Sequence, residues 1–146
     1  MEKMNRSNID FLCDINKNAA AAINSISGIL PKVDNDDLKK DIETELHELR
    51  SVEMESRKAL SGYGEPAAGV SSADKLGSWA AINLGTLTDR TPSRIAEIMM
   101  QGNSAGIIDL TRSINENSLA DAQYKTMAVK LLEIKKRSLD SMKRFL

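Results

Sequence analysis

The chain holds one cysteine, one histidine, three prolines and five aromatic residues in 146 positions, and each shortage removes a class of protein. A single thiol cannot close an internal disulfide, and a domain of this length can bury enough apolar surface without one. Cys13 lies beside Leu12 on an apolar helical face, where it reads as a small hydrophobe. One imidazole cannot supply a pair of Glu-x-x-His metal motifs, and the residue three before His47 is Thr44. No apolar run reaches membrane-spanning length, and the polar segment 1–7 has no apolar core behind it. The reading is therefore a soluble cytoplasmic protein without a membrane partner. Charge of one sign is also missing, with 20 Lys and Arg against 21 Asp and Glu. No whole-molecule field draws in nucleic acid. Lys130, Lys135, Lys136, Arg137, Lys143 and Arg144 crowd the end of the chain, but Glu133 and Asp140 lie among them and no aromatic side chains interleave for base stacking. They are expected to form a solvated helix face.

What the chain has in quantity is Ala, Leu, Ile and Met at helical spacing. Ile9, Leu12, Asn16, Ala19, Ile23, Ile26 and Leu30 recur in steps of three and four, which predicts a first helix over 7–30 with one face turned to partner helices. Pro31 and the run Asp34 to Asp37 end it and cap its successor. Leu38, Ile42, Glu45, Leu49, Val52, Ser56, Ala59 and Tyr63 repeat the spacing, so a second helix to about Ser61 follows as an antiparallel neighbour. The segment 62–72 has loop composition and is long enough to cross a bundle lengthwise. A third helical region opens near Ala73 with Leu76, Trp79, Ala80, Ile82, Leu84 and Leu87, and breaks at 89–92, where Thr91 is an N-cap and Pro92 a first helical residue. The next segment carries Ile95, Ile98, Met99, Ala105, Ile108 and Leu110 to about Asn115. Gly102 and Gly106 within it point to close approach of a neighbouring helix. Ser118 is expected to cap a last helix with Tyr124, Met127, Leu131, Ile134, Ser138, Ser141 and Phe145 on one seam. No strand and no repeat is predicted, and residues 1–146 read as a single helical-bundle domain.

Polar residues on these seams are the candidate chemistry. Glu45 lies on the second seam, and a buried carboxylate needs a partner. It is expected to reach water or pair with a basic side chain, or alternatively to be a metal ligand. Asn16 on the first seam is expected to set register, and a bond between Asn16 and Glu45 is plausible from the pattern. Gly-rich phosphate loops of the nucleotide-binding kinds are missing. Trp79, Met99 and Met100 read as core. Room near Gly102, Ala105 and Gly106 is compatible with a small ligand, and more simply with helix contact.

The run Phe11-Leu12-Cys13, the segment Asn16-Lys17-Asn18-Ala19-Ala20, then Leu76-Gly77-Ser78-Trp79 and Met100-Gln101-Gly102-Asn103, resemble a family of uncharacterised bacterial ferritin-like four-helix-bundle proteins. The resemblance covers nearly the whole chain and implies an all-α, ferritin-like up-down four-helix bundle with a long crossover between helices 2 and 3. It also implies ligand positions that this sequence has lost. Ala20 stands for a first-helix Glu, Met100 and Asn103 for two later carboxylates, and Ser138 for a last-helix His. Neutral side chains there remove both the charge and the oxygen donors of a di-metal centre. The expectation is a structural or protein-interaction module with no catalytic residues, no metal and no cofactor, acting on a protein partner or by self-association. The alternative is a metal-binding oxidase or storage protein with an atypical site around Glu45, His47 and Glu48.

Overall fold

The computed structural model describes residues 2–69 and 87–146. Among them are four α-helices and no strand: α1 (Glu2–Ile29), α2 (Asp36–Gly62), α3 (Pro92–Glu116) and α4 (Ala122–Met142). Short 3-10 turns follow α1 at Leu30–Lys32 and α4 at Lys143–Phe145. The expected third helical region from Ala73, with Leu76 and Trp79, lies outside the described residues except for Leu87, which is non-helical and packs on the core.

Helix ends follow local chemistry. Asn35 Oδ1 accepts from the Leu38 amide at 2.9 Å, satisfying a donor that α2 leaves unpaired, and Asp36 and Asp37 favour the positive end of the helix dipole. Thr91 does the same for α3 through the Arg94 amide at 3.3 Å, with Pro92 opening the helix. Asn35→Ala should lower stability by about 1 kcal/mol, read as a lower urea midpoint with an unchanged slope. The last helix departs from expectation. Residues 117–120 form a turn, closed by the Ala120 amide on the Asn117 carbonyl, and Asp121 rather than Ser118 precedes the first helical residue. The Asp121 amide donates to Asn8 Oδ1 at 2.8 Å, so α1 fixes where α4 begins. No local pattern could have contained that contact.

Side-chain bonds give the helix directions. Asn8 meets Tyr63 and Asn16 meets Ser56, so α1 and α2 run antiparallel. Ser113 meets Asp14 while Gly106 meets Asn18, making α3 antiparallel to α1. Lys130 pairs with Glu55, Arg137 with Glu48 and Arg144 with Asp41, so α4 is antiparallel to α2. Each of α1 and α4 packs on both α2 and α3. The core where they meet contains fully buried Phe11, Leu12, Ile15, Leu38, Ile42, Leu49, Ile95, Ile98 and Leu131. At about 1.5–3 kcal/mol for each such side chain, this apolar interior supplies the main driving force.

Most seam positions face inward as the spacing predicts. All of Leu38, Ile42, Glu45, Leu49, Val52 and Ser56 are buried on α2. Ala105 and Ile108 do not follow the pattern: both are exposed on the outer side of α3, whose buried line passes through Met99, Gly102, Asn103 and Leu110 instead. Among the described residues, no helix is long and apolar enough to cross a membrane.

Candidate functional site: a buried polar cluster on three helices

Among the described residues, three levels of interior polar groups link the helices. At one end, Asn8 Nδ2 donates to the Tyr63 hydroxyl at 3.0 Å, and Tyr124 stacks edge-on against Tyr63 with its hydroxyl 3.3 Å away. Burial and the neighbouring phenol push the Tyr124 hydroxyl up to about 12. This clip ties the start of α1 to the end of α2 and the start of α4. One level further in, Asn16 Nδ2 donates to Ser56 Oγ at 3.0 Å and to the Glu53 carbonyl at 3.3 Å. Its Oδ1 accepts from the Gly69 amide at 2.8 Å, and the positive φ of Gly69 permits the loop conformation that presents that amide. Asn16 thus makes the register-setting contacts expected of it. It makes them with Ser56, and Glu45 lies about three turns away along α2, so the anticipated bond between Asn16 and Glu45 does not form.

The third level holds the titratable groups. Glu45 on α2 is 4 % exposed and Lys135 on α4 only 2 %. Ser138 Oγ donates to Glu45 Oε2, and Asn103 Nδ2 on α3 donates to Ser138 Oγ at 3.0 Å. The other carboxylate oxygen, Glu45 Oε1, is buried with no hydrogen-bond partner among the described residues. Burial is the main influence on both ionisable groups. It raises the Glu45 carboxyl, a shift that the Ser138 bond, the Lys135 charge and Asn103 only partly offset. It lowers the Lys135 amine to about 8 against the pull of Glu45 and Asp109. Burial favours the neutral form of both groups; the Ser138 bond and then the Lys135 charge oppose it at Glu45, and the Glu45 and Asp109 charges oppose it at Lys135.

Lys135 corrects the expectation of a uniformly solvated basic face. It lies one residue beyond Ile134 and three before Ser138, on the inward side of α4, while Lys136 and Arg137 on the same turn are exposed. Its space comes from Gly106. A β-carbon at that position would stand 2.9 Å from Lys135 Nζ, 3.1 Å from Cε and 3.3 Å from Cδ. The expected reason for this glycine was helix-to-helix contact or room for a small ligand, and the occupant is a lysine stem. From the far side Asn18 Nδ2 donates to the Gly106 carbonyl at 3.1 Å, and Asn18 Oδ1 is a second buried oxygen without a hydrogen-bond partner among the described residues. The signal in the sequence was a lysine at seam spacing facing a glycine across two helices, which is visible only once the helices are aligned axially.

No family model matches this chain, and neither does any curated protein or solved structure. Of the positions singled out through the ferritin-like resemblance, Asn103 and Ser138 converge on Glu45, while Ala20 and Met100 are half-buried. Glu45, His47 and Glu48 do not converge. His47 is exposed, and Glu48 Oε2 accepts from Arg137 Nη2 at 2.7 Å at the surface. Among the described residues, no group of three or more His, Cys, Asp or Glu side chains is placed to hold a metal ion. Cys13 is half-buried, its thiol pushed up by burial and then by Asp10 and Asp14, which makes it a poor nucleophile. The cluster at Glu45 can hold and exchange a proton, and it can fix the axial setting of α2, α3 and α4. Its two ionisable groups are both buried among the described residues.

Proposed function

We propose that this chain is a ferritin-like helical bundle acting as a structural or protein-interaction module, with Glu45, Asn103, Lys135 and Ser138 serving its architecture in place of a di-metal centre. The observation that carries the reading is the surroundings of Glu45. Its carboxyl group is bonded by the neutral Ser138 hydroxyl, which Asn103 bonds in turn, leaving one carboxylate where several would be needed to neutralise a pair of metal ions. The parallel sense of α2 and α3 supports a long crossover between them. With α1 spanning 28 residues, about 42 Å, a connection over 63–91 has ample reach.

The interaction surface is the outer side of α3. Ile108 is 57 % exposed beside a shallow groove lined by Ile107, Thr111, Arg112 and Asn115, and Leu119 beyond the helix is 62 % exposed. An exposed isoleucine beside an open groove favours contact with another protein surface. Light scattering or sedimentation of the purified protein, with elemental analysis of the same sample, tests both parts. The expected result is a self-associated species without stoichiometric iron or manganese, and at least about tenfold weaker association for Ile108→Lys. Stoichiometric metal removed by Glu45→Gln would overturn the architectural reading. A monomer at all concentrations, unchanged by Ile108→Lys, would overturn self-association through α3.

A further inference from the structure

After α2 the chain turns back on itself. The Gly64 amide donates to the Ser61 carbonyl and the Glu65 amide to the Leu60 carbonyl, both at 3.0 Å, with Gly64 at φ +74°, the glycine reversal that closes many helices. Further on, the Gly69 amide donates to Asn16 Oδ1 at 2.8 Å. Asn8 meets Tyr63 and Asn16 meets Gly69, so the segment between Tyr63 and Gly69 runs back beside α1 over about 12 Å, the helical rise from Asn8 to Asn16. Cys13 lies within that interval. It stands one turn before Asn16 on the same flank of α1, half-buried and packed on the core. Burial, then Asp10, Asp14 and Glu65, push its thiol up, and the Glu65 influence agrees with a segment that passes close by.

We propose that residues 65–69 form a hinged strap over the Cys13 flank of α1, latched by Asn16 and able to swing open while the four helices stay folded. The inference goes beyond the architectural role proposed above and rests on neither Glu45 nor the outer side of α3. Gly64 and Gly69 are the hinges. Both hold positive φ, at +74° and +60°, and a β-carbon at either would meet nothing within 4 Å, so backbone rotation there meets little steric resistance. Between them Pro66 and Ala67 are exposed, and little apolar surface holds the strap down. The latch is a bond from a backbone amide to a side-chain carbonyl, which contributes little net once water can replace it. Opening admits that water, because the departing strap is what covers Asn16 Oδ1. Asn16 Nδ2 keeps its bonds to Ser56 Oγ and the Glu53 carbonyl, so the contact between α1 and α2 survives. Segments with few buried contacts are the ones that open locally. Access to the Cys13 thiol is therefore governed by the strap and not by unfolding of the bundle.

Labelling of the full chain with an aromatic disulfide reagent that releases a coloured thiolate tests the proposal. Cys13 is the single cysteine of the sequence, so the colour reports one position. Below the unfolding transition the labelling rate should be nearly independent of urea, because opening a few residues exposes little surface. Gly69→Ala strains the latched backbone at its positive φ and should label about tenfold faster. Asn16→Ala removes the latch and should label faster by a similar factor. Neither substitution changes a charge beside the thiol, so the chemistry of the labelling step is unaltered. Asn35→Ala, which weakens the bundle at the far end of α2, should leave the rate within about twofold of wild type. A rate that follows urea with the slope of global unfolding, or equal rates in wild type and Gly69→Ala, would overturn the strap even if Asn16→Ala fails to fold. The oligomeric mass reports separately on self-association, so the two readings fail by different measurements.

Discussion

Replacing Glu45 and Lys135 together by Gln and Met should leave the protein as stable as wild type or raise its stability by about 1–4 kcal/mol, and the double variant should exceed both single variants. Taking two ions out of water costs several kcal/mol for each, and their mutual attraction returns that cost only when the geometry is close and every remaining lone pair is satisfied. Here Glu45 Oε1 has no hydrogen-bond partner among the described residues, and burial outweighs attraction for both groups. Glu45→Gln alone leaves a buried ammonium without its interior counter-charge. Lys135→Met alone leaves a buried carboxylate that must either stay ionised without compensation or take up a proton. Each single variant therefore keeps one desolvation cost that the double variant removes. Urea unfolding of the four proteins closes the cycle, and the coupling between the two sites should be favourable and of order 0.5–3 kcal/mol. A double variant less stable than either single one would show that the pair's attraction exceeds its desolvation.

The second large effect is in the pH profile. Lys135 is lowered from 10.5 to about 8 in the native state. Between those values the unfolded chain holds the lysine proton and the native chain does not, so the contribution of this group to stability rises with pH, by up to about 3 kcal/mol. Glu45 acts in the opposite sense. Its native carboxyl is raised above the ordinary 4.5, so the native state holds more protons than the unfolded chain just above that value, and stability falls as pH rises through the raised range. The site should be most costly between the raised Glu45 range and the lowered Lys135 value of about 8. Tyr124 adds a separate decline above pH 10, because the unfolded phenol ionises before the native one at about 12. That decline is common to wild type and the Glu45→Gln, Lys135→Met double variant. The difference between their unfolding free energies from pH 4 to 10 isolates the buried pair, and a flat difference would refute its assignment as an ionised, desolvated pair.

The local parts of this structure were readable before any coordinates. Seam residues from Leu38 to Ser56 face inward because a 3.6-residue period places them on one side of α2. Asn35 and Thr91 cap their helices because a short side-chain oxygen reaches an amide three residues on, and Pro92 sits where its missing amide costs nothing. Even Asn16 as a register-setting group follows from a polar side chain on an apolar seam.

The candidate site was legible only in fragments. Glu45 was visible as a seam carboxylate, and pairing with a basic side chain was one of its expected fates. Its proximity to Lys135, the depth of that lysine and the use of Gly106 as its slot depend on how far α2, α3 and α4 slide along one another. Axial offset is set by contacts between residues 29 to 113 positions apart, such as Asn103 with Ser138 and Asn8 with Asp121, and it leaves no trace in spacing within any one helix. The same cause explains why Ser118 looked like a cap and Asp121 took the position. Helix pattern, polarity and caps are short-range properties that the chain carries locally. The buried glutamate and lysine came from packing, because burial shifts both groups away from their ordinary titration and toward their neutral forms.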